Sequence, residues 1–204
     1  MSLKVVGFDP SLTHWGIAEA ELDMQTGYLS TPRLRVIEPT KINHKQVRQN
    51  SEDLHVAEQL ADAAFRTGRE ADVAFVEVPV GSQSARAMCS YGICVGILAA
   101  LRSEGVQIIE VTASEVKLAL SGMKNATKTQ QIEAAVALYP DSEWPRHTQN
   151  GKGYKKGDLQ SRAEHVADAV GAIHAGVLTP TFKNLHRLYG AREREPHANH
   201  TRPG

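Results

Sequence analysis

Four side chains, Asp9, Glu77, His165 and Asp168, sit where a polar group is hard to place unless it has work to do. Asp9 closes the apolar run Val5-Val6-Gly7-Phe8 and is followed at once by Pro10. That pattern reads as a buried strand with a carboxylate at its tip and a turn behind it. Glu77 repeats the arrangement at the end of Val73-Ala74-Phe75-Val76, with Pro79 two residues on. An ionised carboxylate is costly to take out of water unless a cation or a hydrogen bond compensates it. Singly, each has a plain structural reading: Asp9 caps its turn through Ser11 or Thr13, and Glu77 is a solvated strand end. As a pair at corresponding ends of two neighbouring strands they would repel each other unless a cation lay between them.

His165 and Asp168 stand three apart in an alanine-rich segment whose Val166, Val170, Ile173 and Val177 mark a packed helix over about 159–177. An acid inside such a helix needs a partner, and a buried histidine satisfied by Asp168 is the structural alternative. Glu164 competes with His165 for the face toward the site. Carboxylates with one imidazole and no cysteine form a hard, oxygen-rich donor set, which favours Mg²⁺ or Mn²⁺ over zinc. Two such ions about 4 Å apart can activate a water on one side of a phosphodiester and stabilise the leaving oxygen on the other.

The cations fall in two places. Lys117, Lys124 and Lys128 flank the joint between two short helices, where lysines and free backbone N–H groups suit phosphates. Solvated surface lysines are the ordinary reading. Residues 140–160 lack periodicity and hold Arg146, His147, Lys152, Tyr154, Lys155 and Lys156. Cations around an aromatic suit single-stranded or distorted nucleic acid, and a disordered polar loop is equally compatible.

The rest of the chain must position these groups. Strands are predicted at 5–9, 15–22, 33–38, 73–76 and 107–111, and helices at about 47–65, 82–101, 114–120, 127–138 and 159–177. Thr112 with Glu115, and Thr127 with Gln130, are capping-box signatures. Gly68 is the expected stop of the first helix. Ser82 or Ser84 opens the second, whose Gly92 and Gly96 share a face and imply a closely packed partner or a dimer contact.

At 204 residues the chain suits one domain over 1–180, with a polar tail over 181–204 that is expected to be disordered from Arg192. Lys plus Arg and Asp plus Glu are both 23, so any nucleic-acid affinity must come from local clusters. No apolar run is expected to span a membrane and no signal-peptide pattern opens the chain; the expectation is a soluble, cytoplasmic protein with no membrane partner. Cys89 and Cys94 are too far apart for a CxxC pair and are expected to be buried, reduced thiols.

GFDPSLTHWGIA, VAFVEVP, VTASEVKLALSGMKNATKTQ and AEHVADAVGAI, in that order and spacing, resemble the RuvC-type Holliday junction resolvases, crossover-junction endodeoxyribonucleases. The resemblance spans roughly residues 3–177. It implies an α/β, RNase H-like fold with a mixed five-stranded sheet flanked by helices. It also implies that Asp9, Glu77, His165 and Asp168 are catalytic and hold two Mg²⁺ ions, with Mn²⁺ as substitute. Lys117 and Lys128 match basic positions facing DNA, and Lys124, Ser82, Gln83, Lys152, Lys155 and Lys156 join them as candidate DNA contacts. The helix from Gln83 to Leu101 matches the family's dimer-forming helix, so a homodimer cutting four-way junctions is expected. Ser11 replaces a common glycine, and Val78-Pro79-Val80-Gly81 lacks the aromatic wedge often found there. These departures imply a divergent, relaxed member, phage-like or organellar in type, acting on varied branched DNA. The competing readings are a nuclease for RNA or RNA–DNA hybrid and a module that binds branched DNA without cutting. An actin-like ATP-binding protein would need further Gly-rich phosphate loops.

Overall fold

The apolar run that ends in Asp9 becomes strand β1 (Ser2–Asp9), at the centre of the sheet. The computed structural model describes residues 2–43 and 47–192. Strand β2 (Trp15–Asp23) folds back antiparallel on β1, and β3 (Arg33–Ile37) continues the meander. Strands β4 (Val73–Glu77) and β5 (Ile108–Val111) lie parallel to β1 on its other side, giving the order β3-β2-β1-β4-β5. The sheet is mixed and five-stranded, as the sequence implied.

Because side chains alternate across a strand, one register sends Val6, Phe8, Ala74 and Val76 to one face and Val5, Val73 and Phe75 to the other. The first face is covered by α1 (Gln49–Glu70) and α2 (Ala85–Ser103), through Leu60, Ile97, Leu98 and Leu101. The second is covered by α5 (Ala163–Gly176), with α3 (Ala113–Ser121) and α4 (Lys128–Leu138) packed beside it. Both capping boxes form: Thr112 with Glu115 starts α3, and Thr127 with Gln130 starts α4. Asp53, buried on α1, accepts two hydrogen bonds of 2.6 Å from Arg86 and so ties α1 to α2.

Several expectations are corrected. Gly68 does not end α1; it is the point where α1 approaches Leu101, and the helix runs on to Glu70. Of the two serines expected to open α2, Ser84 is the cap. Cys94 is buried, and burial pushes its thiol up to about 12, but Cys89 is exposed. The chain beyond Val177 is not a plain tail: Pro180–Arg192 forms α6, anchored by Phe182 against Phe75. The disorder expected further on falls on residues 193–204, outside those described. Finally, α2 is long and apolar enough to cross a membrane by length and composition, and the other described residues leave most of it uncovered. Among the described residues, nothing outside the helix's own backbone lies within 4 Å of a Cβ built on Gly92 or Gly96.

Candidate metal and nucleic-acid site

Strand register brings the two strand-tip acids together. Val5 lies level with Val73, and Phe8 with Val76, so Asp9 and Glu77 are the next residues of adjacent parallel strands. Neighbouring strands run about 4.8 Å apart. Alternation places both carboxylates on the face covered by α5.

Two glycines let α5 come down onto that face. A Cβ on Gly7 would sit 1.9 Å from the Ala169 carbonyl oxygen, and one on Gly16 2.0 Å from that of His165. Gly16 is the register partner of Asp9. The bare backbone at these positions therefore sets His165 directly over the tip of β1. His165 Nδ1 lies 2.7 Å from Asp9 Oδ2, with both side chains largely shielded. One turn on, Asp168 Oδ1 accepts a 3.0 Å hydrogen bond from Gln131 of α4, whose side chain is buried.

Asp168, Glu77 and Glu164 line one cleft of about 190 Å³ with Lys117, Lys128 and Gln131. The acids are at odds there. Burial, then the charge of Asp9, raises Glu77 to about 7. Burial, with Asp9 and Glu77 adding to it, raises Asp168 to about 8, while Lys117 opposes both shifts. Glu164 is held by Lys128 at 2.5 Å. Asp9, Glu77, His165 and Asp168 are thus brought together. Glu164 lines the cleft and pairs with Lys128, while His165 reaches Asp9.

Among the described residues, no three His, Cys, Asp or Glu side chains converge tightly enough to hold an ion as they stand. The donor chemistry nevertheless fits a hard divalent cation: carboxylate oxygens, one imidazole and no thiolate. A cation among Asp9, Glu77 and Asp168 would relieve the repulsion that raises the last two.

The candidate contacts are spread around this cleft. Lys117 and Lys128 line it, and Lys124 is exposed in the turn between α3 and α4. Ser82 and Gln83 are exposed in the segment leading to α2. Residues 140–160 contain no regular element but are organised: Arg146 bridges to Leu159 and Gly151 to Tyr154. Left-handed Gly153 (φ +90) and Gly157 (φ +94) turn the chain, and the His147 and Tyr154 rings stack at 3.6 Å. Lys152, Lys155 and Lys156 are exposed on this hairpin. Its base is tied to α5, since Arg162 donates both to Gln160 and to Glu38.

Sequence reading missed Gly7, Gly16, Gln131 and His14. The two glycines sit inside the GFDP and HWGI stretches and could have been flagged as close-approach positions. Gln131 and His14 carry no local signal, because their partners lie far along the chain.

No family model and no curated relative matches this chain. Solved structures do. Thermus thermophilus RuvC is similar at 20% identity over 86% of this chain and 92% of its own, with a TM-score of 0.54. The same protein in complex with Holliday junction substrate gives 19% identity, 89% and 96% coverage, and a TM-score of 0.56. The yeast mitochondrial Holliday junction resolvase Ydc2 gives 14% identity, 91% and 85% coverage, and a TM-score of 0.52. The chain has the RNase H-like fold of the RuvC-type resolvases.

Proposed function

We propose that this chain is a divalent-metal-dependent, structure-selective endonuclease. It would resolve four-way junctions and other branched DNA by paired phosphodiester nicks. The observation that carries the reading is the convergence of Asp9, Glu77 and Asp168, from β1, β4 and α5, beside a cleft walled by Lys117 and Lys128. A purely structural role does not account for it, since the acids destabilise one another and, among the described residues, Gln131 alone hydrogen-bonds Asp168. The Thermus protein's complex with Holliday junction substrate supports branched DNA as the substrate class.

Asp9, Glu77 and Asp168 would hold Mg²⁺, or Mn²⁺ in its place, and His165 would complete the site. The bound metal would activate water and stabilise charge on the phosphodiester. Asp9 orients the His165 ring through Nδ1, which leaves Nε2 to hold or move a proton. Lys117 and Lys128 present positive charge on the cleft wall, and Lys128 also neutralises Glu164 so that a phosphate can approach. The uncovered face of α2, with Met88, Gly92, Val95, Gly96 and Ala99, would seat a second copy. A twofold dimer places two such clefts for paired cuts across a symmetric junction.

The test is a panel of end-labelled substrates with Mg²⁺: a four-way junction, a linear duplex and an RNA–DNA hybrid. Cutting of the junction alone supports the proposal. Cutting of the hybrid alone moves the activity to RNase H, and tight junction binding without cutting makes this a binding module.

The hairpin lysines give a further expected result. Replacing Lys152, Lys155 and Lys156 together with alanine is expected to weaken junction binding and to lower the salt slope by about 1 per lysine. The cleavage rate at saturating protein is expected to stay unchanged. Binding titrations between low and high salt check this.

A further inference from the structure

The His165 ring is held by more than Asp9. On its other side lies His14, which shares no element with it: the two rings are parallel within 1° and their centroids are 5.2 Å apart. Both nitrogens of His14 are already engaged. Nδ1 lies 3.1 Å from Thr13 Oγ1. Nε2 faces Glu38 at 3.9 Å, too long for a hydrogen bond but close enough for attraction. Glu38 is itself fixed at 3.0 Å by Arg162, the N-cap residue of the helix that carries His165. These polar neighbours lie at the edge of the His14 ring, and what it offers His165 is a ring face.

We infer that His14 is a positioning residue: it fixes the plane of the His165 imidazole by stacking, and so keeps Nδ1 on Asp9 and the bare nitrogen at Nε2. The geometry leaves His165 few alternatives. Its backbone is pressed on Gly16, its Nδ1 is bonded to Asp9, and the stack opposes rotation of the ring out of that bond. A histidine that donates one ring N–H to a carboxylate has its tautomer and orientation fixed by that bond. Without the stacked neighbour, only the bond to Asp9 opposes rotation of the His165 ring, and a second orientation and tautomer become populated. The catalytic consequence rests on the nuclease reading; the structural one does not.

The test compares His14→Ala with His14→Phe, which keeps a flat ring but neither nitrogen. Two readouts are taken: single-turnover junction cleavage beside junction Kd, and the ¹H–¹⁵N spectrum of the His165 ring in metal-free protein. His14→Ala is expected to slow cleavage about 10- to 100-fold, the usual cost of losing a group that orients a functional side chain. Kd should not change, and the His165 spectrum should show mixed tautomers. His14→Phe is expected to restore both the rate and the single Nδ1–H tautomer. A His165 spectrum unchanged in His14→Ala overturns the inference, as does a His14→Phe variant as slow as His14→Ala, which would mean that a stacked ring face is not what holds His165. If wild type cuts no branched DNA, the functional proposal falls while the spectra still decide the positioning role.

Discussion

Asp168→Asn is expected to give a metal-free protein that melts higher than wild type at pH 8 and that no longer gains stability from Mg²⁺. Asp168 titrates near 3.8 when free and is raised to about 8 in the folded chain, by burial first and by Asp9 and Glu77 next. The unfolded chain therefore releases this proton near pH 4 while the folded chain holds it, so stability falls as pH rises from about 4 to about 8. Asparagine is neutral, fits the same space and still accepts the Gln131 hydrogen bond. The expected gain is on the order of 2 kcal/mol at pH 8, discounted for coupling among the acids, and it shrinks toward pH 5. Wild type recovers the same loss by binding Mg²⁺, about 2.7 kcal/mol at a hundred times Kd. Cleavage by the variant is expected to fall on the order of 10³-fold, since several kcal/mol of charge stabilisation go with the ion. Thermal melts at pH 5 and 8, with and without Mg²⁺, separate these effects. A variant less stable than wild type at pH 8 would mean that the acids are not in conflict.

The second large effect is geometric. Gly7→Ala is expected to cost about 3 kcal/mol, the upper end for forcing an extra carbon into a packed interior. The new Cβ would lie 1.9 Å from the Ala169 carbonyl oxygen and 3.0 Å from Ile173 Cγ1, and the first of these is backbone that cannot swing aside. The helix must lift, carrying His165 and Asp168 away from Asp9. A displacement of about 1 Å in a catalytic constellation costs roughly 10²-fold in rate. Denaturant unfolding measures the first effect and junction cleavage at a temperature where the variant is folded measures the second. An unperturbed Gly7→Ala protein would contradict the close approach of α5.

Much of this site was legible because local signals and long-range packing agree. Both strand-tip acids were marked by the proline that follows each run, and the two capping boxes fixed the starts of α3 and α4. The pairing of Asp9 with Glu77 followed from two apolar strands of the same design. Apart from Gly7 and Gly16, what escaped notice had no local cause. Gln131 lies 37 residues from Asp168, and only the packing of α4 on α5 makes it a partner. Gly68 looked like a helix end because a glycine in sequence does not reveal whether it ends a helix or admits a neighbour. The hairpin at 140–160 has no periodic pattern because bridges, turns and the buried Trp144 hold it, not a repeating apolar face. Helix α6 was hidden by its charged residues, since Phe182 and Leu185 against the core and a His186 bond to the Met24 carbonyl, rather than a long apolar face, hold its described part.

The central claim, that the acids at the tips of β1 and β4 and on α5 hold metal in order to cut branched DNA, is tested most directly by one comparison. Wild type and Asp9→Asn are each assayed on a labelled four-way junction, for binding without metal and for cutting after Mg²⁺ is added. The account predicts equal binding, paired nicks by wild type and none by Asp9→Asn. Nicking by Asp9→Asn at the wild-type rate would contradict it.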